Sequence, residues 1–227
     1  MAGKGNEEVK WSFSSLKQWS NCPRQYHEVK VLKNFTVLDT DQTLYGKEVH
    51  TALEEYVRDG KPLAKNYQRF QKPVDALLEI PGEKYTELKM GLKADRMTAC
   101  DFDDPEYWVH GIADLVIVNK LEAFCVDYKT GSPRYADTKQ LKLMALMIFA
   151  KFPAVVRVRS GLLFLLHDTF VPDDYERSES ERLWKSFREP LELHNIYTSS
   201  GNWPANPSGL CKRHCVVNTC QYNGNHR

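Results

Sequence analysis

The sequence predicts an α/β protein in which a central mixed β-sheet is flanked by helices and a cysteine-rich C-terminal clasp follows. Three observations predict this class: helical spacing in the first third, alternating and β-branched residues from Lys84 onward, and a turn-rich tail that carries three cysteines. The 227 residues are 42% hydrophobic and 27% charged, which is enough for one large hydrophobic core. We therefore expect one domain over residues 1–227.

The first part of this domain, residues 11–83, is predicted to be helical. Serines cap a short helix in WSFSSLKQWSNC, and Pro23 reshapes it. LYGKEVHTALEEYVRDG places Val49 and Leu53 on one face and ends at Gly60. KNYQRFQKPVDALLEI is predicted to be helical on both sides of Pro73.

The second part, residues 84–170, is predicted to contain the sheet. KYTELKMGLKA alternates, and WVHGIADLVIV and AFCVDYKTG form an antiparallel hairpin through the turn NKLE. ADTKQLKLMALMIFAKFP predicts a helix that packs on the sheet, and VVRVRSGLLFLL predicts a further strand. In the third part, residues 171–227, ESERLWKSFREPLELHN predicts a polar helix before the tail.

Charge and hydropathy limit the class of protein. The net charge is only +1, so any nucleic-acid binding must come from local clusters of basic residues. No apolar run reaches the roughly 18 residues that span a bilayer, and the N-terminus lacks the apolar core of a signal peptide. We expect a cytoplasmic protein without membrane contact, whose cysteines are metal ligands, buried residues or thiols rather than disulfides.

One group of charged residues lies in segments that are built for burial. Asp127 and Lys129 share one strand face, and the hairpin brings Asp114 near Asp127 on the adjacent strand. Burying the two carboxylates unpaired would cost several kcal/mol each. Because two carboxylates can hold a hard cation, this pattern predicts a divalent metal site with Lys129 beside it to orient or deprotonate a water aimed at a phosphodiester.

These residues carry a resemblance to a known family. GIADLV followed by VDYKTG resembles motifs two and three of the PD-(D/E)XK nuclease superfamily. GKEVH, YTELKMGL and QLKLMAL are similar to further motifs of its RecB-like branch, which includes AddB-type, CRISPR-associated and phage nucleases. The matching motifs follow one another in the family's order between residues 12 and 222. This resemblance implies a restriction-endonuclease-like core.

The resemblance also implies roles for individual residues. The implied ligands of Mg²⁺ or Mn²⁺ are His50, Asp114, Asp127 and the backbone carbonyl of Tyr128. Lys129 would be the catalytic amine, Gln140 would position the lysine or the DNA, and Glu87 would support the site. The sequence departs from the branch at Met144, where the family often has a tyrosine four residues after the glutamine.

Each of these residues also has an ordinary structural interpretation. A single histidine such as His50 is more often structural than a ligand, and Asp114 and Asp127 could be strand-edge acids. Lys129 could mark a solvated strand end, and Gln140 could be a helix surface residue. The nuclease interpretation is preferred because one hypothesis explains all of them in the expected order.

Four cysteines suggest a second metal site. The resemblance implies that Cys22 joins Cys211, Cys215 and Cys220 to bind a 4Fe-4S cluster, although the tail has Cys-x3-Cys-x4-Cys where many family members have Cys-x2-Cys. Zn²⁺ is an alternative, with His214 or His226 able to replace Cys22, and a third possibility is that no metal binds.

The predicted function is a Mg²⁺- or Mn²⁺-dependent deoxyribonuclease, an exonuclease acting on single-stranded DNA or duplex ends in recombination, repair or phage DNA metabolism. The resemblance suggests bacterial or phage origin and partners in a recombination, CRISPR or phage replication complex. Lys65, Arg69 and Lys72, with Tyr67 and Phe70 between them, could contact DNA or form an ordinary solvated face. The alternative function is a DNA-binding accessory protein that keeps the metal cluster without catalysis.

Overall fold

A seven-stranded mixed sheet forms the centre of the described chain, which in this computed structural model is residues 9–224. The strand order is β2-β1-β3-β4-β5-β6, and β7 pairs with β5. Within residues 9–224 only the β4–β5 pair is parallel, so the prediction of a mixed sheet is confirmed. The strands are β1 Glu83–Leu92, β2 Ala99–Cys100, β3 Val109–Asn119, β4 Glu122–Lys129, β5 Arg157–Phe164, β6 Thr169–Pro172 and β7 Tyr175–Glu176.

Six α-helices accompany these strands in the described residues. They are α1 Phe13–Asn21, α2 Pro23–Tyr26, α3 Asp41–Asp59, α4 Gln71–Leu78, α5 Lys139–Lys151 and α6 Ser180–Ser200. None of them is both long enough and apolar enough to cross a membrane.

The chain divides into two compact units. The sheet unit is Asp39–Trp184 and contains every strand named above, with α3, α4 and α5. The terminal unit combines the chain up to Leu38 with the chain from Lys185, so it contains α1, α2 and most of α6. The assignment of residues 1–227 to one nuclease domain stays a prediction.

The predicted hairpin is confirmed as β3 and β4. Asn119 pairs with Glu122 across a turn in which Lys120 takes the left-handed conformation, with φ of 55°. The register then runs back to Leu115 opposite Val126. This register places Asp114 and Asp127 one step beyond the last pair.

Helix α5 makes the connection that a parallel strand pair requires. It is apolar on most sides because its residues pack on the sheet, and the buried ones are Leu141, Leu143, Met144, Ala145, Leu146, Met147, Ile148 and Phe149. Its N-terminal turn holds Gln140 beside the end of β4.

Helix α3 packs over β3 and β4. Val49 and Leu53 are fully buried together with Leu115, Ile117 and other apolar residues of the strands and of α4. Each such side chain contributes about 1.5–3 kcal/mol by leaving water. The burial of Val49 fixes the neighbouring His50 above the sheet.

The helix predicted around Pro73 is shorter than expected. A 3-10 turn at Gln68–Phe70 precedes α4, and Pro73 lies in the first turn of α4. Proline is tolerated there because the first turn needs no intrahelical N–H bond from it.

The helix predicted to be polar is longer and has a buried face. Helix α6 continues to Ser200, and Leu183, Trp184 and Phe187 are buried. The short strands β2, β6 and β7 were not predicted, because two to four residues are too few for a periodic pattern.

The terminal unit has an aromatic core. Ser12 caps α1, and Pro23 is the first residue of α2. His194 is only 5% exposed and lies against the rings of Trp19, Tyr26 and Trp203, at centroid distances of 4.5, 5.6 and 5.3 Å.

Burial among these rings lowers the pKa of His194 to about 4, below the ordinary value near 6.5. The unfolded chain therefore binds a proton between pH 6.5 and 4 that the folded chain does not, and stability should fall as the pH falls through this window. We expect a loss on the order of 2 kcal/mol from this residue. Urea unfolding at pH 7 and pH 4.5, followed by tryptophan fluorescence, measures it.

His194→Phe should remove this part of the pH dependence, whereas His167→Asn, at an exposed histidine, should keep it. Equal pH dependence in the wild type and His194→Phe would contradict the assignment.

Candidate active site

The paired ladder of β3 and β4 stops at the two predicted aspartates. Beyond the Leu115–Val126 pair, the side chain of Asp114 replaces the backbone partner, and its Oδ2 accepts a hydrogen bond from the Tyr128 N–H at 2.6 Å. Asp114 is thereby fixed at the point where the strands diverge. The structure brings Asp114 near Asp127, as the hairpin register predicts.

Along β3, side chains point alternately to the two faces of the sheet, and this alternation is interrupted at Asp114. A Cβ on Gly111 would lie 2.7 Å from Met144 Cε of α5, whereas Leu115 packs with Val49 and Leu53 of α3. Residues four apart point to the same side in a regular strand, so β3 changes its facing between these two positions.

The neighbouring strand is irregular at the same level. β1 pairs with β3 at Thr86–Leu115 and Leu88–Ala113, and Glu87 between them has a φ of 46°. This left-handed conformation is unfavourable for a residue with a side chain and is found at functional sites. The distortion lets Glu87 and Asp114 turn toward the same histidine of α3.

Three side chains form a group with the spacing of metal ligands. One ligand atom each from His50, Glu87 and Asp114 lies within 4.8 Å of the other two, and His50 Nδ1 is 3.2 Å from Asp114 Oδ1. One nitrogen and two carboxylates suit a divalent cation such as Mg²⁺ or Mn²⁺.

The electrostatics of this group fit a cation. Burial, and then the charge of Asp114, raise the pKa of Glu87 to about 7. Burial lowers the pKa of His50, but its hydrogen bond to Asp114 and the charges of Asp114, Asp127 and Glu87 outweigh this effect, and the net shift is upward. The site therefore concentrates negative charge that a divalent cation would neutralise.

Asp127 belongs to a second set of contacts, with Lys129 and Gln140. Gln140 Nε2 donates to Asp127 Oδ1 at 2.8 Å, Lys129 Nζ donates to Gln140 Oε1 at 3.2 Å, and Lys129 forms an ion pair with Asp127 Oδ2. Asp127 is only 5% exposed, and burial followed by the charge of Asp114 raises its pKa, while Lys129 opposes this shift. This closed set holds the lysine ammonium at the end of β4, and its Asp127 is close enough to Asp114 and His50 for their charges to act on its pKa.

Met144 and Tyr128, which lie close to the site residues in sequence, both have buried side chains. Met144, one turn after Gln140, is buried, and its Cε would lie 2.7 Å from a Cβ placed on Gly111. The Tyr128 ring is buried in the core that includes Val49, and its N–H is bound by Asp114. The metal-ligand role of the Tyr128 carbonyl stays a prediction.

An open cleft of about 490 Å³ lies over the three-residue group. Its lining comprises Gln42, Thr43, Gly46, Lys47, His50, Thr51, Glu54, Glu87, Ile112, Asp114 and Thr130. A Cβ on Gly46 would lie 3.2 Å from Thr130 Oγ1, so the glycine lets α3 approach the end of β4. Gly46 begins the motif GKEVH and Thr130 belongs to VDYKTG, but neither was predicted as a site residue; for Gly46 the available signal was a glycine inside a helical pattern.

The predicted DNA-contacting residues are at the surface. Lys65, Arg69 and Lys72 are exposed, and Arg69 donates to Tyr45 Oη at 3.1 Å. Phe70 is fully buried, so its predicted part in a stacking surface is wrong.

The four predicted cysteine ligands all belong to the terminal unit. Burial raises the pKa of Cys215, a backbone hydrogen bond with Val217 lowers it, and the charges of Cys211, Cys22 and Cys220 raise it further. Within residues 9–224, no three of their sulfur atoms lie within 4.8 Å of one another. His214 is exposed, and the alternative ligand His226 lies outside the described residues.

Comparison of the fold with solved structures found a protein from Eubacterium rectale described as "Putative exonuclease". The identity is 10%, the alignment covers 94% of this chain and 89% of that chain, and the TM-score is 0.55. A structure named SSO0001 aligns over 96% of this chain and 89% of that chain at 14% identity, with a TM-score of 0.42 that carries no argument. No curated protein gives a significant sequence match.

The first of these similarities shows a shared fold. The family model of the PD-(D/E)XK nuclease superfamily matches residues 10–223, almost the whole chain. This range includes both the His50, Glu87 and Asp114 group and the contacts of Lys129. The chain belongs to the PD-(D/E)XK nuclease superfamily, whose members are metal-dependent nucleases.

Proposed function

We propose that the protein is a Mg²⁺- or Mn²⁺-dependent DNA exonuclease that hydrolyses phosphodiester bonds in single-stranded DNA or at duplex ends. The supporting observation is the network of Asp127, Lys129 and Gln140 beside the His50, Glu87 and Asp114 group. A structural ion pair alone would not require His50 and Glu87 next to Asp114, whose charge contributes to the raised pKa values of both.

The proposed ligands of the cation are His50, Asp114, Asp127 and the Tyr128 carbonyl, and the position of Glu87 adds it to this set. When bound, the cation would neutralise the carboxylates and stabilise the negative charge that develops on the phosphate. One carboxylate oxygen of Glu87 lies within 4.8 Å of the ligand atoms of His50 and Asp114, which supports a ligand role for Glu87.

Lys129 has a separate role in this proposal. Asp127 and Gln140 hold its ammonium in place, and the side chain is still about one-third exposed. The ammonium can thus donate a hydrogen bond to a phosphate oxygen or to the attacking water. Gln140 is the positioning residue, because it contacts both Asp127 and Lys129.

The biological setting of this proposal comes from the RecB-like resemblance. It comprises cytoplasmic action in recombination, repair or phage DNA metabolism of a bacterium or phage, together with protein partners in such a complex. Lys65, Arg69 and Lys72 are proposed DNA contacts because they are exposed and basic.

Lys129→Ala and Asp127→Asn should each lower DNA cleavage about 10²- to 10⁴-fold, because each removes part of the network that presents the ammonium. Lys151→Ala, which removes an exposed lysine at the end of α5, should cleave like the wild type. Cleavage of end-labelled single-stranded and duplex DNA with Mn²⁺ measures this effect.

A covalently closed circular DNA in the same assay separates exonuclease from endonuclease activity. Survival of the circle is the expected result, and its cutting would contradict the exonuclease assignment. Full cleavage by both active-site variants would contradict the nuclease site itself.

We also propose that Cys22, Cys211, Cys215 and Cys220 bind a 4Fe-4S cluster within the terminal unit. The RecB-like resemblance carries this proposal, and the charges of three of these thiols act on the pKa of the fourth, Cys215. A tetrahedral zinc site with bonds of about 2.3 Å would need sulfur atoms about 3.8 Å apart, whereas no three of these thiols lie within 4.8 Å of one another in residues 9–224.

Anaerobically purified protein should contain iron and acid-labile sulfide with visible charge-transfer absorbance. Cys215→Ala should lose the iron, whereas Cys100→Ala, at a cysteine of β2 outside the set, should retain it. Stoichiometric zinc in place of iron, or no metal at all, would contradict the cluster.

A further inference from the structure

A tyrosine pair lies beside the catalytic cleft. The rings of Tyr45 in α3 and Tyr67 before α4 are 6.2 Å apart between centroids, with planes at 56°. Both side chains are half-buried, because their inner parts pack against the core that contains Val49 and Phe70. Their outer parts are accessible to a ligand.

The tyrosine pair is continuous with the cleft. Tyr45 directly precedes Gly46 and follows Gln42 by three residues, and both of these residues line the cleft. Side chains three apart on a helix are neighbours on its surface. A chain that occupies the cleft above Asp114 can therefore continue over Tyr45.

Hydrogen bonds fix both phenol groups. Arg69 donates to Tyr45 Oη at 3.1 Å, and Tyr67 Oη donates to Glu48 Oε2 at 3.0 Å. The guanidinium of Arg69 also lies 4.8 Å from the centre of the buried Phe70 ring. Rings and guanidinium are held in place before any ligand arrives, which lowers the entropy cost of binding.

The segment that carries Tyr67 and Arg69 is basic, which suits a polyanion, and its Lys61 is ion-paired with Glu55. The segment from 61 to 74 contains four basic residues, Lys61, Lys65, Arg69 and Lys72, and no acidic residue. Glu48 is the opposing charge that contacts the pair. Aromatic rings interleaved with cations are the combination that binds single strands, since every unpaired base offers a face for stacking.

We propose that Tyr45, Tyr67 and Arg69 form a subsite that stacks unpaired bases and binds backbone phosphate, and that this subsite gives the enzyme a preference for single-stranded DNA. This proposal rests on the proposed nuclease function for its choice of ligand. In a duplex the bases already stack on one another, so the tyrosine rings gain no contact there.

Fluorescence anisotropy tests the subsite with a labelled dT oligonucleotide of about 16 nucleotides, which is long enough for such sites. A blunt duplex of equal length is the comparison. Buffer with EDTA prevents cleavage, so the binding measurement does not depend on catalysis. Tyr45→Leu and Tyr67→Leu should each weaken single-strand binding about tenfold and leave duplex binding within about twofold.

Arg69→Gln should lower the slope of log K against log salt concentration by about 0.7, the value for one lost phosphate contact on a single strand. Glu48→Gln should tighten single-strand binding because it removes a negative charge beside the rings. Phe170→Leu, at an exposed aromatic residue of β6, should bind like the wild type. Unchanged melting temperatures would show that the variants are folded.

Wild-type affinity of both tyrosine variants for the dT oligonucleotide would overturn the subsite, as would equal losses for single strand and duplex. If the leucine variants do not fold, Arg69→Gln and Glu48→Gln at exposed positions decide the question by their opposite effects. The proposed nuclease function can fail separately: Asp127→Asn would then cleave normally while the tyrosine variants still lose binding.

Discussion

Close packing of like charges is the constraint on which the rest of the site depends. Asp114, Asp127 and Glu87 lie around the point where the β3–β4 ladder ends, and burial together with their mutual repulsion raises the pKa values of Asp127 and Glu87. The Tyr128 N–H and the Lys129 ammonium offset part of this cost. A bound divalent cation would offset much of the remainder.

Several irregular features of the fold serve this arrangement. The reversal of side-chain facing at Asp114 and the left-handed Glu87 turn two carboxylates toward His50. Gly111 lets the end of the Met144 side chain of α5 approach the backbone of β3. A regular strand with ordinary side chains at these positions would separate the residues that the chemistry needs together.

The sequence predicted those elements whose apolar residues repeat with a regular period and those strands that are joined by a short turn. The hairpin of β3 and β4 followed from two β-branched runs around NKLE, and the proximity of Asp114 and Asp127 followed from its register. That Glu87 lies at metal-ligand distance from His50 and Asp114 could not be predicted. Regular alternation along β1 predicts which face of the sheet the Glu87 side chain points to, and the left-handed backbone at Glu87 changes that direction. Tyr45 was missed because its partners, Tyr67 and Arg69, are more than 20 residues away in sequence. The buried face of α6 was missed because its polar residues outnumber the apolar ones.

Manganese binding by the Asp114→Asn variant tests the central claim most directly. The amide oxygen of the introduced asparagine can still accept the hydrogen bond from the Tyr128 N–H. The change therefore removes one negative charge and keeps the contact that ends the β3–β4 ladder. The account predicts that metal-free Asp114→Asn melts at the same or a higher temperature than the wild type, and that only the wild type gains stability when Mn²⁺ is added. A variant that melts lower without metal and is still stabilised by Mn²⁺ like the wild type would contradict it.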